Sequence, residues 1–205
     1  MNVFILGATG RVGSKVLTQA LRDQHKVTVL VRSPEKLPFQ KGLTIIEGNV
    51  LNEKDVLKAS EGSDVIISAL GTDKTTTLSE STPILIRAMK KHGIKRILTV
   101  GTAGILNSRT DPSIYRFESS ESKRKTTRAA REHLAVYEML NQSELDWTII
   151  CPTYLPEGEA RGGYRIEEDY LPENGREIST GDTAEFVYQE LIEKNHIAKR
   201  VGIAY

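Results

Sequence analysis

Gly7, Gly10 and Gly13 stand at intervals of three in GATGRVG, directly after the apolar run VFIL and at the start of a stretch in which Val12, Val16, Leu17, Ala20 and Leu21 recur at helical spacing. A chain built this way must make a strand, a tight turn and a helix in quick succession. Further apolar runs follow in KVTVLVR, LTIIEG and DVIISALG (residues 27–31, 43–46 and 65–70), each apolar at its centre as parallel strands buried on both faces should be. KRILTVG and DWTIIC predict two more strands, the last ending at Cys151-Pro152 because proline cannot donate to a ladder. The alternation predicts a Rossmann-like, doubly wound parallel sheet in a single domain spanning residues 1–205.

Between the strands, STPILIRAMKKHG predicts a helix capped by Ser81 or Thr82, with Pro83 in its first turn and Gly93 as its stop. A longer helix is expected over residues 127–141. The last helix begins at Ser179 and Asp182, spaced as a capping box. Residues 153–177, rich in Gly, Glu and Tyr, predict a loop region with short strands that covers a pocket.

The glycine spacing carries chemistry when it joins a strand to a helix. Without a Cβ, Gly7 can turn tightly, Gly10 can let the backbone approach a pyrophosphate and Gly13 can bring helix against strand. The helix start then offers free N–H groups and a favourable dipole to phosphate. The alternative is a ligand-free turn. At the end of the second strand, where an NAD site places a carboxylate for the ribose 2′-OH, the chain has Arg32 and Ser33. A guanidinium suits a 2′-phosphate, which favours NADP(H) over an arginine that is merely exposed.

Composition narrows the partners. The formal net charge is +1, so no field draws the chain to nucleic acid or membrane, and a small-molecule ligand is expected. Cys151 is the sole cysteine and no Cys/His spacing suits a metal, so neither a disulfide nor a metal site is expected. No charged leader precedes the short first apolar run, which predicts a cytoplasmic location. The basic cluster KRKTTRAARE is diluted by Glu118, Glu121 and Glu132 and is expected to be a solvated face.

FILGATGRVG, KVTVLVRSPEKLP, EGNVLN, SALGT, TTTLSESTPILIRAMKKHGIKR, TAGIL, HLAVYEML, CPTYL and ISTGDTAEF, in this order, resemble the NADPH-dependent flavin reductase or biliverdin-IXβ reductase family. That family belongs to the atypical, NmrA-like branch of the short-chain dehydrogenase/reductases. The resemblance implies that Thr9, Gly10, Arg11 and Val12 lie on the pyrophosphate, Arg32 and Ser33 on the 2′-phosphate, and Asn49 and Val50 beside adenine. Ala69, Leu70, Gly71 and Thr72 would border the riboses. Thr102, Pro152 and Thr153 would lie near the nicotinamide. Asn49 replaces the family's Asp, and Tyr154 replaces a histidine that faces the acceptor.

Carbonyl-reducing members of the superfamily pair Tyr with Lys four residues on, because a developing alkoxide needs a proton donor. Tyr115, Tyr137, Tyr154, Tyr164, Tyr170 and Tyr188 are followed at that distance by Ser119, Asn141, Gly158, Glu168, Asn174 and Ile192. The missing pair favours hydride transfer to a planar conjugated acceptor such as a flavin, a biliverdin-like tetrapyrrole or a quinone, with Thr102, His133 and Tyr154 as candidate residues at the reacting end. The alternative is an NADP(H)-binding redox sensor that acts through a protein partner. Each of the three side chains also has a structural alternative: packing, a satisfied histidine or an exposed ring.

Overall fold

A computed structural model describes residues 1–38, 40–72, 74–122 and 126–205. Residues 123–125 of the basic cluster lie outside that description. Eight strands, β1 (Asn2–Leu6), β2 (Lys26–Val31), β3 (Leu43–Glu47), β4 (Val65–Ser68), β5 (Arg96–Val100), β6 (Asp146–Pro152), β7 (Arg165–Glu168) and β8 (Lys199–Ala204), form one sheet in the order β3-β2-β1-β4-β5-β6-β8-β7. All neighbours are parallel except β7 against β8. The order reverses between β1 and β4, and a crevice opens there at the carboxyl ends of the strands. This is the single-domain, doubly wound fold expected from the sequence.

Five helices cover the sheet: α1 (Gly13–Arg22), α2 (Glu53–Ser60), α3 (Thr77–His92), α4 (Arg128–Asn141) and α5 (Thr180–Glu193). Side chains alternate along the buried strands. Phe4 and Leu6 pack with α2, α3 and α4 on one face, while Val3 and Ile5 pack with α1 and α5 on the other. β3 is less buried than its apolar centre predicts, because it sits at the sheet edge and Ile45 and Ile46 are only half-buried.

Two local expectations change. Helix α3 begins at Thr77, not at Ser81 or Thr82, and Pro83 lies inside it. Its start is secured from outside the expected cap: Thr75 Oγ1 accepts the Thr77 N–H at 3.3 Å, and the Glu132 carboxylate of α4 accepts Ser79 N–H at 3.1 Å. Ser81 and Thr82 are buried and return their hydroxyls to the Leu78 carbonyl. Second, β8 continues the sheet beyond the last helix.

The 153–177 region is anchored rather than loose. Thr180 N–H donates to the Pro156 carbonyl at 3.1 Å, Gly181 N–H to the Gly158 carbonyl at 2.9 Å, and the Arg161 and Gly162 N–H groups to the Asp182 carboxylate at 3.0 and 2.8 Å. Ser179 Oγ accepts Asp182 N–H at 3.0 Å, which is half of the expected capping box. The other half is replaced, since Ser179 N–H donates to Tyr205 Oη at 3.2 Å.

Candidate cofactor site

The turn after β1 is held by mutual glycine contacts. Gly7 has φ +74°, and a Cβ there would lie 2.4 Å from the Ala69 carbonyl oxygen; one on Gly13 would lie 2.2 Å from the Gly7 oxygen. Both positions therefore exclude side chains whether or not a ligand is present. Gly10 differs: its Cβ would meet only the Gly7 oxygen at 3.2 Å and the Ala69 oxygen at 4.0 Å, so its other side faces space. No side chain caps the start of α1 at Val12. The Ser14 and Lys15 N–H groups return to the Gly10 and Val12 carbonyls at 3.0 and 3.1 Å. That leaves the Arg11, Val12 and Gly13 N–H groups, with no hydrogen bond among the described residues, beside an open glycine as a pyrophosphate needs.

That space is a cavity of about 630 Å³. Its wall brings together Gly7, Thr9, Gly10, Arg11 and Val12 after β1, Arg32 after β2, Asn49 and Val50 after β3, Ala69, Leu70 and Gly71 after β4, and His133 from α4. Arg11 and Arg32 supply positive charge, and no Asp or Glu is among the described wall residues. The Arg11 guanidinium donates to the Leu155 carbonyl at 2.9 Å, and Lys15 pairs with Glu159 at 2.7 Å, so the first turns of α1 tie down the chain beyond β6.

Seven expected residues stand off this wall. Gly13 lies beneath the turn, in contact with Gly7. Ser33 opens a short 3-10 turn, and Thr72 accepts Thr75 N–H at 2.7 Å through its carbonyl. Thr102 is buried and its hydroxyl accepts Gly104 N–H at 3.3 Å at the head of another 3-10 turn. Pro152 ends β6, buried, with Thr153 half-buried after it. Tyr154 is 68% exposed. Its backbone bridges Glu177, and because successive side chains in extended chain point oppositely, Leu155 takes the wall and Tyr154 the solvent.

The wall also holds Gly101, which the family resemblance sets beside Thr102 near the nicotinamide, and residues to which the sequence reading gave no role at the site, among them Gly48, Thr77 and Leu155. Gly48 and Gly101 directly follow β3 and β5, so their positions at strand ends were available as a signal. Thr77 and Leu155 carry no such local mark. Gly101 is constrained from behind, since a Cβ would lie 2.7 Å from Ile149 Cγ2. Cys151 is fully buried, and burial pushes its thiol up to about 12, which leaves it unreactive at neutral pH.

A family model described as NAD(P)H-binding matches residues 7–194. The chain belongs to that family. This NAD(P)H-binding protein is 26% identical over 213 residues to the uncharacterized protein YwnB of Bacillus subtilis, covering 99% of this chain and 98% of that one. It is 36% identical over 106 residues to the photosystem II assembly factor Ycf39 of Synechocystis, covering 48% of this chain but 32% of that relative's length. Among solved structures, a candidate epimerase from Bacteroides thetaiotaomicron superposes with a TM-score of 0.86 at 28% identity, covering 100% and 96% of the two chains. A candidate NADH-flavin reductase from Streptococcus pneumoniae (TM-score 0.82, 24% identity, 100% and 99% covered) and the anaerobilin reductase ChuY from Escherichia coli O157:H7 (0.80, 22%, 100% and 97%) share the fold.

Proposed function

We propose that the chain binds NADPH and serves as a reductase of a planar, conjugated acceptor such as a flavin, with biliverdin-like tetrapyrroles and quinones as related candidates. The observation that carries this is the wall itself: uncapped helix start, open Gly10, two guanidinium groups and no carboxylate among the described residues of one continuous cavity. Bound NADPH would supply a hydride, and the two-electron reduced acceptor takes its proton from solvent. The protein's part is to hold and orient. Gly10 and the start of α1 hold the pyrophosphate, Arg32 the 2′-phosphate, and Gly101, His133 and Leu155 shape the reacting end. The absence of a Tyr-x-x-x-Lys pair supports an acceptor that delocalises charge, and two fold neighbours, a candidate NADH-flavin reductase and an anaerobilin reductase, are in keeping with that chemistry.

A second reading, a redox sensor acting through a protein partner, draws on one observation: of Thr102, His133 and Tyr154, only His133 reaches the wall. Mixing the protein with NADPH and FMN, FAD, riboflavin, biliverdin and quinones, and following NADPH absorbance, separates the two. Oxidation above background with at least one acceptor is expected. Tight NADPH binding with no oxidation across the panel would leave the sensor.

A further inference from the structure

The stretch after β3 decides which purine the cavity reads, an inference that rests on the cofactor proposal above. Asn49 and Val50 stand on the wall there. Leu51 N–H donates to Asn49 Oδ1 at 3.0 Å, which fixes the carboxamide: the oxygen must face Leu51, since an amide NH2 cannot accept that bond. The Asn49 N–H points elsewhere, to Asp55 Oδ2 at 2.9 Å, so the Asp55 carboxylate is engaged by the chain's own backbone and is not among the described wall residues. What remains to offer a ligand is the Asn49 NH2 and the Val50 N–H, which donates to no backbone or side-chain group among the described residues. The amide oxygen, neutral and already shared with Leu51, is a far weaker acceptor than a carboxylate. The wall is donor-rich.

We infer that Asn49 makes this site read acceptors on the purine edge rather than the 6-amino donor of adenine. On its N7 edge adenine presents a ring-nitrogen acceptor beside an amino donor, while a 6-oxopurine keeps the N7 acceptor and presents a carbonyl acceptor in the amino position. The site therefore holds the hypoxanthine analogue of NADPH about as well as NADPH. Asn49→Asp is the discriminating change, because an Asp oxygen can still accept Leu51 N–H while the second oxygen replaces donors with an anionic acceptor. That acceptor suits the adenine amino group and repels the 6-oxo group.

Isothermal titration calorimetry of wild type and Asn49→Asp with NADPH and its hypoxanthine analogue tests this without turnover. The wild-type affinities are expected to lie within about threefold of each other, and Asn49→Asp is expected to favour adenine by about tenfold or more, the size of one hydrogen bond to a charged group. Any uniform loss from the added charge cancels in the ratio. Wild-type discrimination of tenfold, or a ratio unmoved by Asn49→Asp, overturns the inference while leaving the cofactor proposal standing. Failure of the wild type to bind either dinucleotide overturns both.

Discussion

Glu190→Ala should cost the fold about 3–5 kcal/mol while leaving cofactor affinity untouched. Glu190 is 2% exposed on α5 and its carboxylate accepts from Arg96 Nη2, His196 N–H and His196 Nδ1, each at 2.9 Å. Arg96, 6% exposed, has further bonds to the Asp146 carbonyl at 3.0 Å and Thr148 Oγ1 at 2.7 Å, and burial pulls its pKa down despite Glu190. Removing the carboxylate leaves a buried guanidinium with only the exposed Asp146 charge, outside ion-pair distance, to offset it, and the penalty is the desolvation of that cation. At about 2–4 °C per kcal/mol for a chain of this size, the melting temperature falls by about 6–20 °C. The pair itself stabilises little, since Arg96 Nε is buried with no hydrogen-bond partner among the described residues. Arg96→Met with Glu190→Met should therefore recover most of the loss. Urea unfolding of Glu190→Ala, of Arg96→Met and Glu190→Met singly, and of the double variant measures this. A double variant as unstable as the sum of the Met singles would refute the reasoning, because additivity would mean that the two groups act independently and that no orphaned charge causes the loss. Arg96 begins β5 and Asp146 begins β6, at the end of the sheet opposite the cavity, so NADPH affinity below the transition serves as the control.

Gly13→Ala drives a Cβ to 2.2 Å from the Gly7 oxygen and should impair folding yield and dinucleotide binding together, whereas Gly10→Ala should keep thermal stability but weaken binding about tenfold or more; melting curves and titrations of both distinguish a packing glycine from a ligand-facing one. Arg32→Ala should weaken NADPH by about 10- to 100-fold and NADH by less than about threefold, and equal losses would remove Arg32 from the 2′-phosphate. Tyr188 is pushed up to about 12 by burial and by its hydrogen bond to Asp23 at 2.6 Å. Its folded form keeps a proton that the unfolded chain releases near pH 10, so its contribution is whole below pH 10 and is lost between about pH 10 and 12. Denaturant unfolding at stepped pH should show Tyr188→Phe with a shallower decline over that window, and identical slopes would contradict it.

Much of the fold could be read from the chain because buried parallel strands are uniformly apolar and GATGRVG marks where the first one turns. Where reading failed, the deciding contacts were distant in sequence. Pro83 resembles a first-turn proline, and the earlier start rests in part on Glu132, 53 residues beyond the Ser79 N–H that it accepts. β8 was missed because KRVGIA is short and interrupted by Gly202, whose Cβ would strike the Tyr170 carbonyl oxygen at 2.1 Å, a packing fact invisible locally. At the cavity, residues on the strand-end turns fell where spacing put them. Those beyond β6 did not, because Tyr154 and Leu155 differ by one step of alternation and nothing in CPTYL says which faces inward.

β8 lies between β6 and β7, so a strand made after both of its neighbours is interior to the sheet. On a ribosome, β7 emerges some thirty residues before the only partner it pairs with, and until then the outer edge of β6 stays unpaired. Closure of this part of the sheet thus waits for β8, whose six residues fill both gaps. A nascent chain arrested just short of residue 199 would carry two open β edges, and holdase chaperones would find their substrate there.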